Sequence, residues 1–178
     1  MKIDLHSHTT ASDGRMSPAE LVERAVTFDV KVLAITDHDT VAGLAEAHQT
    51  IKEKELPVHL IDGIEISTLW SNKDIHVVGL NIDVNHPELI ALIEEQAKRR
   101  DARARKMAER LEKAGYVGAL EGAMALADGG SLTRAHFGKW LVDQGHAKTM
   151  QAVFKKFLTR NNIGYVHQNG VQLKKPLR

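Results

Sequence analysis

Cysteine is absent from the 178 residues of the sequence. Its absence excludes disulfide bonds, thiolate zinc sites and cysteine nucleophiles, so any metal site must be built from nitrogen and oxygen ligands. Long apolar runs are also lacking, because no stretch approaches the roughly 18 residues that a membrane span needs. The first residues contain no apolar signal-peptide core. We therefore expect a cytoplasmic protein with no membrane partner.

Aromatic residues are few, whereas histidines are many. Ten histidines stand against eight Phe, Trp and Tyr residues in total. A buried histidine needs a partner for each ring nitrogen, so a surplus of histidines favours ligand roles. The length and the rest of the composition are those of one globular domain, or of a compact core with one sizeable insertion.

Charge is unevenly distributed along the chain. Residues 1–85 contain 7 basic and 14 acidic residues, a net charge of −7, whereas residues 86–178 contain 17 basic and 9 acidic residues, a net charge of +8. This asymmetry predicts metal ligands in the first part and an anionic partner for the second. The Lys- and Arg-rich segment 87–113 is typical either of a solvated amphipathic helix or of a nucleic-acid-facing one.

The first part alternates short apolar runs with helical patterns, which favours a parallel, barrel-like α/β arrangement. A capping box at Ser17 and an apolar stripe predict the first helix, and a second helix is expected over 41–54. Strands are predicted at 2–5, 31–35, 58–61, 64–68 and 75–82.

From His86 onward the patterns are helical, over 87–113, 118–128, 133–144 and 149–159. We expect three regions. They are an N-terminal metal-binding region (1–85), a helical substrate-binding insertion (86–165) and a divergent basic tail without regular structure (166–178).

Two histidines directly follow the first strand. His6 and His8 are two positions apart, so their side chains point the same way from an extended segment and both can reach one metal ion. Asp13 lies in the loop that follows. It is either a further ligand or a turn residue before Gly14.

Further candidate ligands follow the later strands. His38 stands between Asp37 and Asp39. Either aspartate is a candidate metal ligand or, alternatively, the N-cap of the next helix. Glu65 lies within an apolar run, where an inward carboxylate needs a compensating cation, and His76 begins the next run. Carboxyl ends of parallel strands meet at one edge, so this series of His, Asp and Glu residues predicts a multinuclear metal centre. We find no nucleophile elbow and no glycine-rich phosphate loop in the sequence.

These motifs resemble a known family. The segments DLHSHTTASDG (4–14), ITDHD (35–39), GIEIS (63–67) and IHVVG (75–79) are similar to the first motifs of the PHP (polymerase and histidinol phosphatase) superfamily. The segments AERLEK (108–113), GALEG (118–122), TRAHF (133–137) and FKK (154–156) extend the resemblance to its YciV/TrpH branch, the RNase AM group. The resemblance covers about residues 2–166.

The resemblance implies an α/β fold, namely the first half of a PHP-type distorted (β/α)7 barrel, with a helical insertion. It implies two or three metal ions, usually Mn2+, with iron or zinc possible. One ion is expected on His6, His8 and Glu65, a second on Glu65 and His76, and a third on Asp13 and His38.

The resemblance also implies roles in the reaction. Asp13, His38 and Glu65 are the expected catalytic residues. Thr133, Arg134 and His136 of the insertion are expected to contact phosphate groups of the substrate.

The implied function is that of a divalent-metal phosphoesterase, with metal-bound hydroxide attacking phosphate. Its substrates are nucleoside 3′,5′-bisphosphates, the 5′ ends of short RNA (as a 5′–3′ exoribonuclease), or both. The alternatives are a PHP phosphatase of another small ester, such as histidinol phosphate, and a non-catalytic remnant that binds metal or nucleic acid. The Ala-His-Pro and Asp-x-His motifs of the family's second half have no counterpart here. We therefore expect the tail to reflect a shifted reading frame or a premature end, and the chain as given to bind fewer metals and to turn over weakly at most.

Overall fold

The computed structural model describes residues 1–71, 73–130, 132–167 and 171–172. The chain divides into two compact units. The first comprises Met1–Ala97 and the described C-terminal residues, and the second comprises Lys98–Asn169.

The first unit is a mixed sheet with helices between its first strands. Its elements in chain order are β1 (Lys2–Ser7), α1 (Pro18–Thr27), β2 (Val30–Ile35), α2 (Ala42–Glu53), β3 (His59–Trp70), β4 (Lys73–Leu80) and the short β5 (Val171–Gln172). Strand β2 pairs in parallel with β1 on one side and with the first part of β3 on the other. These pairings confirm the predicted parallel α/β arrangement for the first three strands.

Strand β3 differs from the prediction in two ways. The runs 58–61 and 64–68 form one strand, because the chain stays extended through Gly63 instead of turning there. Its second part pairs antiparallel with β4, a departure from the parallel arrangement that the alternating pattern favours. The connection between β3 and β4 is too short for the crossover that a parallel pair requires, and only a hairpin fits.

The tail also differs from expectation. Val171 and Gln172 form a strand that runs parallel to the end of β3 at Thr68 and Leu69, so these two residues are ordered where no regular structure was expected. The other tail residues after 167 lie outside the described part of the chain.

Helix α1 begins as the sequence predicts. The Ser17 hydroxyl accepts a hydrogen bond from the Glu20 backbone N–H, and the Glu20 carboxylate accepts one from the Ser17 N–H, at 3.1 and 2.8 Å. This capping box satisfies two helix N–H groups that would otherwise lack partners. Helix α1 then buries Leu21 and Val22 against Leu33 of β2 in the core of this unit.

Helix α2 begins at Ala42 with Val41 as its N-cap, and the side chain that accepts from the Ala42 N–H is the Thr40 hydroxyl, at 3.2 Å. The alternative that Asp37 or Asp39 caps this helix is therefore wrong. Both aspartates are buried, and their carboxylates have other partners that are described below.

The second unit consists of helices. Its elements are α3 (Pro87–Lys113), which begins in the first unit, then α4 (Ala119–Ala127), α5 (Arg134–Asp143) and α6 (Met150–Val153), which continues as a π-helical turn (Phe154–Leu158). Met107, Leu111, Phe137, Leu141 and Phe157 belong to its buried core. In the described part of the chain, no helix combines the length and the apolar character that crossing a bilayer requires.

Gly63 marks a close approach of strands and not a chain break. A Cβ at this position would lie 2.8 Å from the Ile35 carbonyl oxygen and 3.1 Å from that of Gly79. Gly63→Ala is expected to lower the free energy of unfolding by about 1–3 kcal/mol, because backbone atoms cannot move aside cheaply. Urea unfolding followed by circular dichroism measures the change.

Gly79→Ala on the facing strand is the matched control. Its Cβ would meet the Ile82 side chain at 3.3 Å and no backbone atom closer than 3.9 Å. We expect a smaller loss for this variant. Equal losses in the two variants would contradict the role assigned to Gly63.

Candidate metal centre

The first unit brings together six residues that the sequence singles out. They come from the end of β1 and its following loop, from the residues after β2, and from β3 and β4. The six are His6, His8, Asp13, His38, Glu65 and His76. They form three overlapping groups of three residues, and within each group the ligand atoms lie within 4.8 Å of one another. The groups are His6–His8–Glu65, His8–Asp13–His38 and His38–Glu65–His76.

The Glu65 carboxylate is the centre of this cluster, with 7% of its side chain exposed. Its Oε2 lies 2.8 Å from Nε2 of His6 and 3.1 Å from Nε2 of His8. The same oxygen is 3.7 Å from Nδ1 of His38, and Oε1 is 2.8 Å from Nδ1 of His76. One carboxylate thus faces four imidazoles, and it is the carboxylate that two of the three groups share.

The β3–β4 hairpin sets the contact between Glu65 and His76. Glu65 pairs with Val78 across the ladder, and His76 pairs with Ser67. Glu65 and His76 are therefore diagonal neighbours on one face of the sheet, within reach of long side chains. The antiparallel pairing that the sequence did not predict is what delivers His76 to the cluster.

Asp13 stands at the other side of the cluster. Its Oδ1 is 4.0 Å from Nδ1 of His8, and its Oδ2 is 3.8 Å from Nε2 of His38. The rings of His8 and His38 stack at 4.6 Å between centroids. Asp13 is 30% exposed, so its carboxylate is more accessible than that of Glu65.

The charge of Glu65 follows from its neighbours. Burial raises the pKa of its carboxyl group, but hydrogen bonds from His6 and His76 and Coulombic interactions with His38 and His76 together outweigh burial. The pKa of Glu65 therefore lies below its ordinary value, and the carboxylate is ionised at neutral pH. An ionised carboxylate is the form that binds a metal ion.

The residues present fit a divalent metal. Nδ1 of His8 is buried and has no hydrogen-bond partner among the residues that the structure describes. Leaving a buried ring nitrogen without a partner costs free energy, and coordination to an ion would remove that cost. Imidazole and carboxylate donors without thiolate suit manganese, iron and zinc.

Asp37 supports the site through hydrogen bonds to the loop that follows β1. Its carboxylate accepts hydrogen bonds from the Thr9 N–H and hydroxyl and from the Ser12 hydroxyl, at 2.7, 2.6 and 2.6 Å. These bonds fix the loop that presents Asp13. Sequence reasoning missed this role, although the Ser and Thr hydroxyls of residues 9–12 were a visible signal.

A parallel bridge joins His38 to Glu65. The Asp39 N–H donates to the Glu65 carbonyl oxygen at 2.9 Å, and the Glu65 N–H donates to the Asp37 carbonyl oxygen at 3.1 Å. The chain then turns at Asp39, whose φ of +54° lies in the left-handed region that aspartate tolerates better than most residues. Backbone bonds therefore hold two predicted ligands side by side.

The predicted substrate residues lie at the start of α5 in the second unit. Thr133 is the N-cap, and its hydroxyl accepts a hydrogen bond from the Ala135 N–H at 3.2 Å. The Thr133 N–H donates to Nδ1 of His136 at 3.1 Å, which completes a capping box. Arg134 is the first helical residue. Contact of these three residues with a substrate stays a prediction.

Fold and cluster together define an α/β protein with a candidate multinuclear metal centre. The PHP domain family model matches residues 4–168, and the chain belongs to this family. It is 55% identical over 163 residues to the 5′–3′ exoribonuclease Rnm of Escherichia coli, covering 92% of this chain and 56% of that protein. It is 42% identical over 168 residues to the 3′,5′-nucleoside bisphosphate phosphatase of Chromobacterium violaceum, covering 93% and 58%.

Solved structures confirm the predicted PHP-type fold. An amidohydrolase from Chromobacterium violaceum, with bound sulfate and no metal, matches with a TM-score of 0.89 and 39% identity over 97% of this chain and 60% of that one. A protein from Bifidobacterium adolescentis, described as a metal-dependent phosphoesterase, matches with a TM-score of 0.89, 25% identity and the same coverage. The chain spans a little over half the length of the curated relatives it matches, at 56% and 58%.

Glu65→Gln is expected to lower Mn2+ affinity at least tenfold. The substitution removes the negative charge that two of the three ligand groups share. Loss of a residue that only orients a metal ligand typically lowers metal affinity by about 10–100-fold, so loss of a ligand charge should lower it at least tenfold. Equilibrium dialysis followed by elemental analysis gives the manganese content per chain.

Asp62→Asn is the matched control in the same strand. Asp62 also contacts a histidine, with Oδ1 2.6 Å from Nε2 of His48, but it belongs to none of the three ligand groups. We expect its manganese content to equal that of the unaltered chain. Equal contents in both variants would show that Glu65 is not a ligand.

Proposed function

We propose that this chain carries the metal centre of a PHP phosphoesterase that acts on nucleotides. The proposed substrates are nucleoside 3′,5′-bisphosphates and the 5′ ends of short RNA. The observation that carries the proposal is the buried Glu65 carboxylate, which faces four imidazoles within a PHP fold.

We assign the centre to two or three Mn2+ ions, with iron and zinc as the alternatives. His6, His8 and Glu65 would hold one ion, Glu65 and His76 a second, and Asp13 and His38 a third. Adjacent divalent ions supply a water of lowered pKa and neutralise the charge that develops on phosphoryl oxygens. Glu65 would hold neighbouring ions together, whereas the more exposed Asp13 lies where a substrate can approach.

The charge of the second unit supports a nucleotide or RNA substrate. Residues 98–169 contain 14 basic and 6 acidic residues, a net charge of +8. Arg110, Lys113, Asn161 and Asn162 line an open pocket of about 430 Å³. A surface of this sign favours a polyanion over a small ester such as histidinol phosphate. The names of the two relatives, an exoribonuclease and a bisphosphate phosphatase, point to the same substrate class.

Within this proposal each region has its own task. Residues 1–85 supply the metal ligands, residues 86–165 bind the substrate, and residues 166–178 are a basic tail. Thr133, Arg134 and His136 would bind phosphate at the N-terminus of α5, where helix N–H groups favour anions. Action on RNA and nucleotides is consistent with a cytoplasmic protein.

Three substrates offered to the purified chain with Mn2+ test the function. They are adenosine 3′,5′-bisphosphate, 5′-phosphorylated RNA and histidinol phosphate, with release of phosphate and mononucleotide as the readout and Glu65→Gln as the control. We expect release from one or both of the first two. Release from histidinol phosphate alone would indicate the small-ester phosphatase, and no release from a chain that binds manganese would indicate a non-catalytic protein.

Arg134→Ala is expected to weaken binding of 5′-phosphorylated RNA by about 10–100-fold, since a hydrogen bond to a charged group contributes about 1.5–3 kcal/mol. Binding of the same RNA with a 5′-hydroxyl should change far less. Fluorescence anisotropy with labelled RNA measures both affinities.

Lys148→Ala provides the control, because Lys148 is an exposed cation of the same unit outside the α5 N-terminus. This variant should lower the affinity for both RNAs slightly and equally. If Arg134→Ala also lowered the affinity for both RNAs equally, the Arg134 side chain would contribute only its positive charge and no specific contact with the 5′-phosphate.

A further inference from the structure

Gln96 of α3 is a polar residue in a buried position. Only 3% of it is exposed. Its Nε2 donates to Oδ1 of Asp39 at 2.8 Å and to the Ser67 carbonyl oxygen at 2.7 Å. All three residues belong to the first unit, and none of them is a member of the three ligand groups.

The chemistry of these two acceptors requires a group with two N–H donors, and the side-chain amide of Gln96 is such a group. A carboxylate oxygen and a carbonyl oxygen both accept, so the group that faces them must present two N–H donors. The –NH2 of glutamine does so, whereas its own oxygen in the same place would face two acceptors. A methionine of similar size has no donor, and a glutamate would place a third acceptor there.

Each of the two acceptors lies one or two residues after a predicted ligand, His38 or Glu65. Asp39 directly follows His38, and Ser67 lies two residues after Glu65 on the same face of β3. The Asp39 Oδ1 that binds Gln96 also accepts from the Ser67 N–H at 2.7 Å. Gln96 thus closes a ring of hydrogen bonds that joins the segment after β2 to β3.

We propose that Gln96 is a positioning residue of the metal centre. By tying Asp39 to Ser67 it fixes the spacing of His38 and Glu65, whose Nδ1 and Oε2 atoms lie 3.7 Å apart. A metal ion binds more tightly when its ligands are already held in place, and groups that orient ligands typically raise metal affinity by about 10–100-fold. The inference rests on the proposed metal centre.

The test compares metal binding by Gln96→Met with that of the unaltered chain. We expect Mn2+ to bind at least tenfold more weakly, and the visible absorption of bound Co2+ to change, because that spectrum reports ligand geometry. Gln49→Met is the matched control. Gln49 is an exposed amide of α2 that donates to Glu53 at 2.7 Å, and its loss should leave both readouts unchanged.

A double-mutant cycle shows whether Gln96 acts through Asp39. Asp39→Gly removes the carboxylate and tolerates the left-handed backbone at this position. In that background, Gln96→Met should weaken Mn2+ binding less than it does alone. Should Gln96→Met not fold, Gln96→Asn replaces it, because it keeps the amide but is one methylene shorter.

Two negative results have different meanings. Wild-type Mn2+ affinity and an unchanged Co2+ spectrum in a Gln96 variant with lowered thermal stability would overturn this inference, because Gln96 would then only support the fold. Failure of the unaltered chain to bind Mn2+ or Co2+ would instead overturn the proposed metal centre.

Discussion

The negative charge of a buried carboxylate must be offset by cations or hydrogen bonds, and the arrangement of the first unit around Glu65 follows from this requirement. Removing an ionised carboxyl group from water costs several kcal/mol unless cations or hydrogen bonds surround it. Here four imidazoles from three parts of the chain face its two oxygens. The length of β3, the bridge to His38 and the hairpin to β4 all serve to bring those rings to one carboxylate. A site assembled in this way is suited to cations that several donors share.

The support behind the ligands is polar and buried. Asp37 orders the loop that carries Asp13, and Asp39 joins the end of β2 to β3 through Ser67. Their carboxylates each accept several hydrogen bonds, and these bonds hold together the segments that carry the ligands. The ITDHD segment therefore contributes one imidazole to the cluster and two carboxylates to its support.

The sequence predicts much of this site because its signals are local. The i, i+2 spacing of His6 and His8 and the acid inside the apolar run at Glu65 can be identified without a structure. The antiparallel hairpin was missed, although the six residues between the predicted strands 64–68 and 75–82 are too few for the crossover that a parallel pair requires. Gln96 carries no local signal at all, since it lies in a charged helical segment and its partner Asp39 is 57 residues away. Contacts of this kind arise only when the chain has folded.

Anomalous diffraction from crystals of the chain grown with Mn2+ tests the central claim most directly. At least two anomalous peaks are expected, on opposite sides of the Glu65 carboxylate, each within bonding distance of one of its oxygens and of a neighbouring imidazole nitrogen. Peaks elsewhere on the protein, with none at this carboxylate, would contradict it.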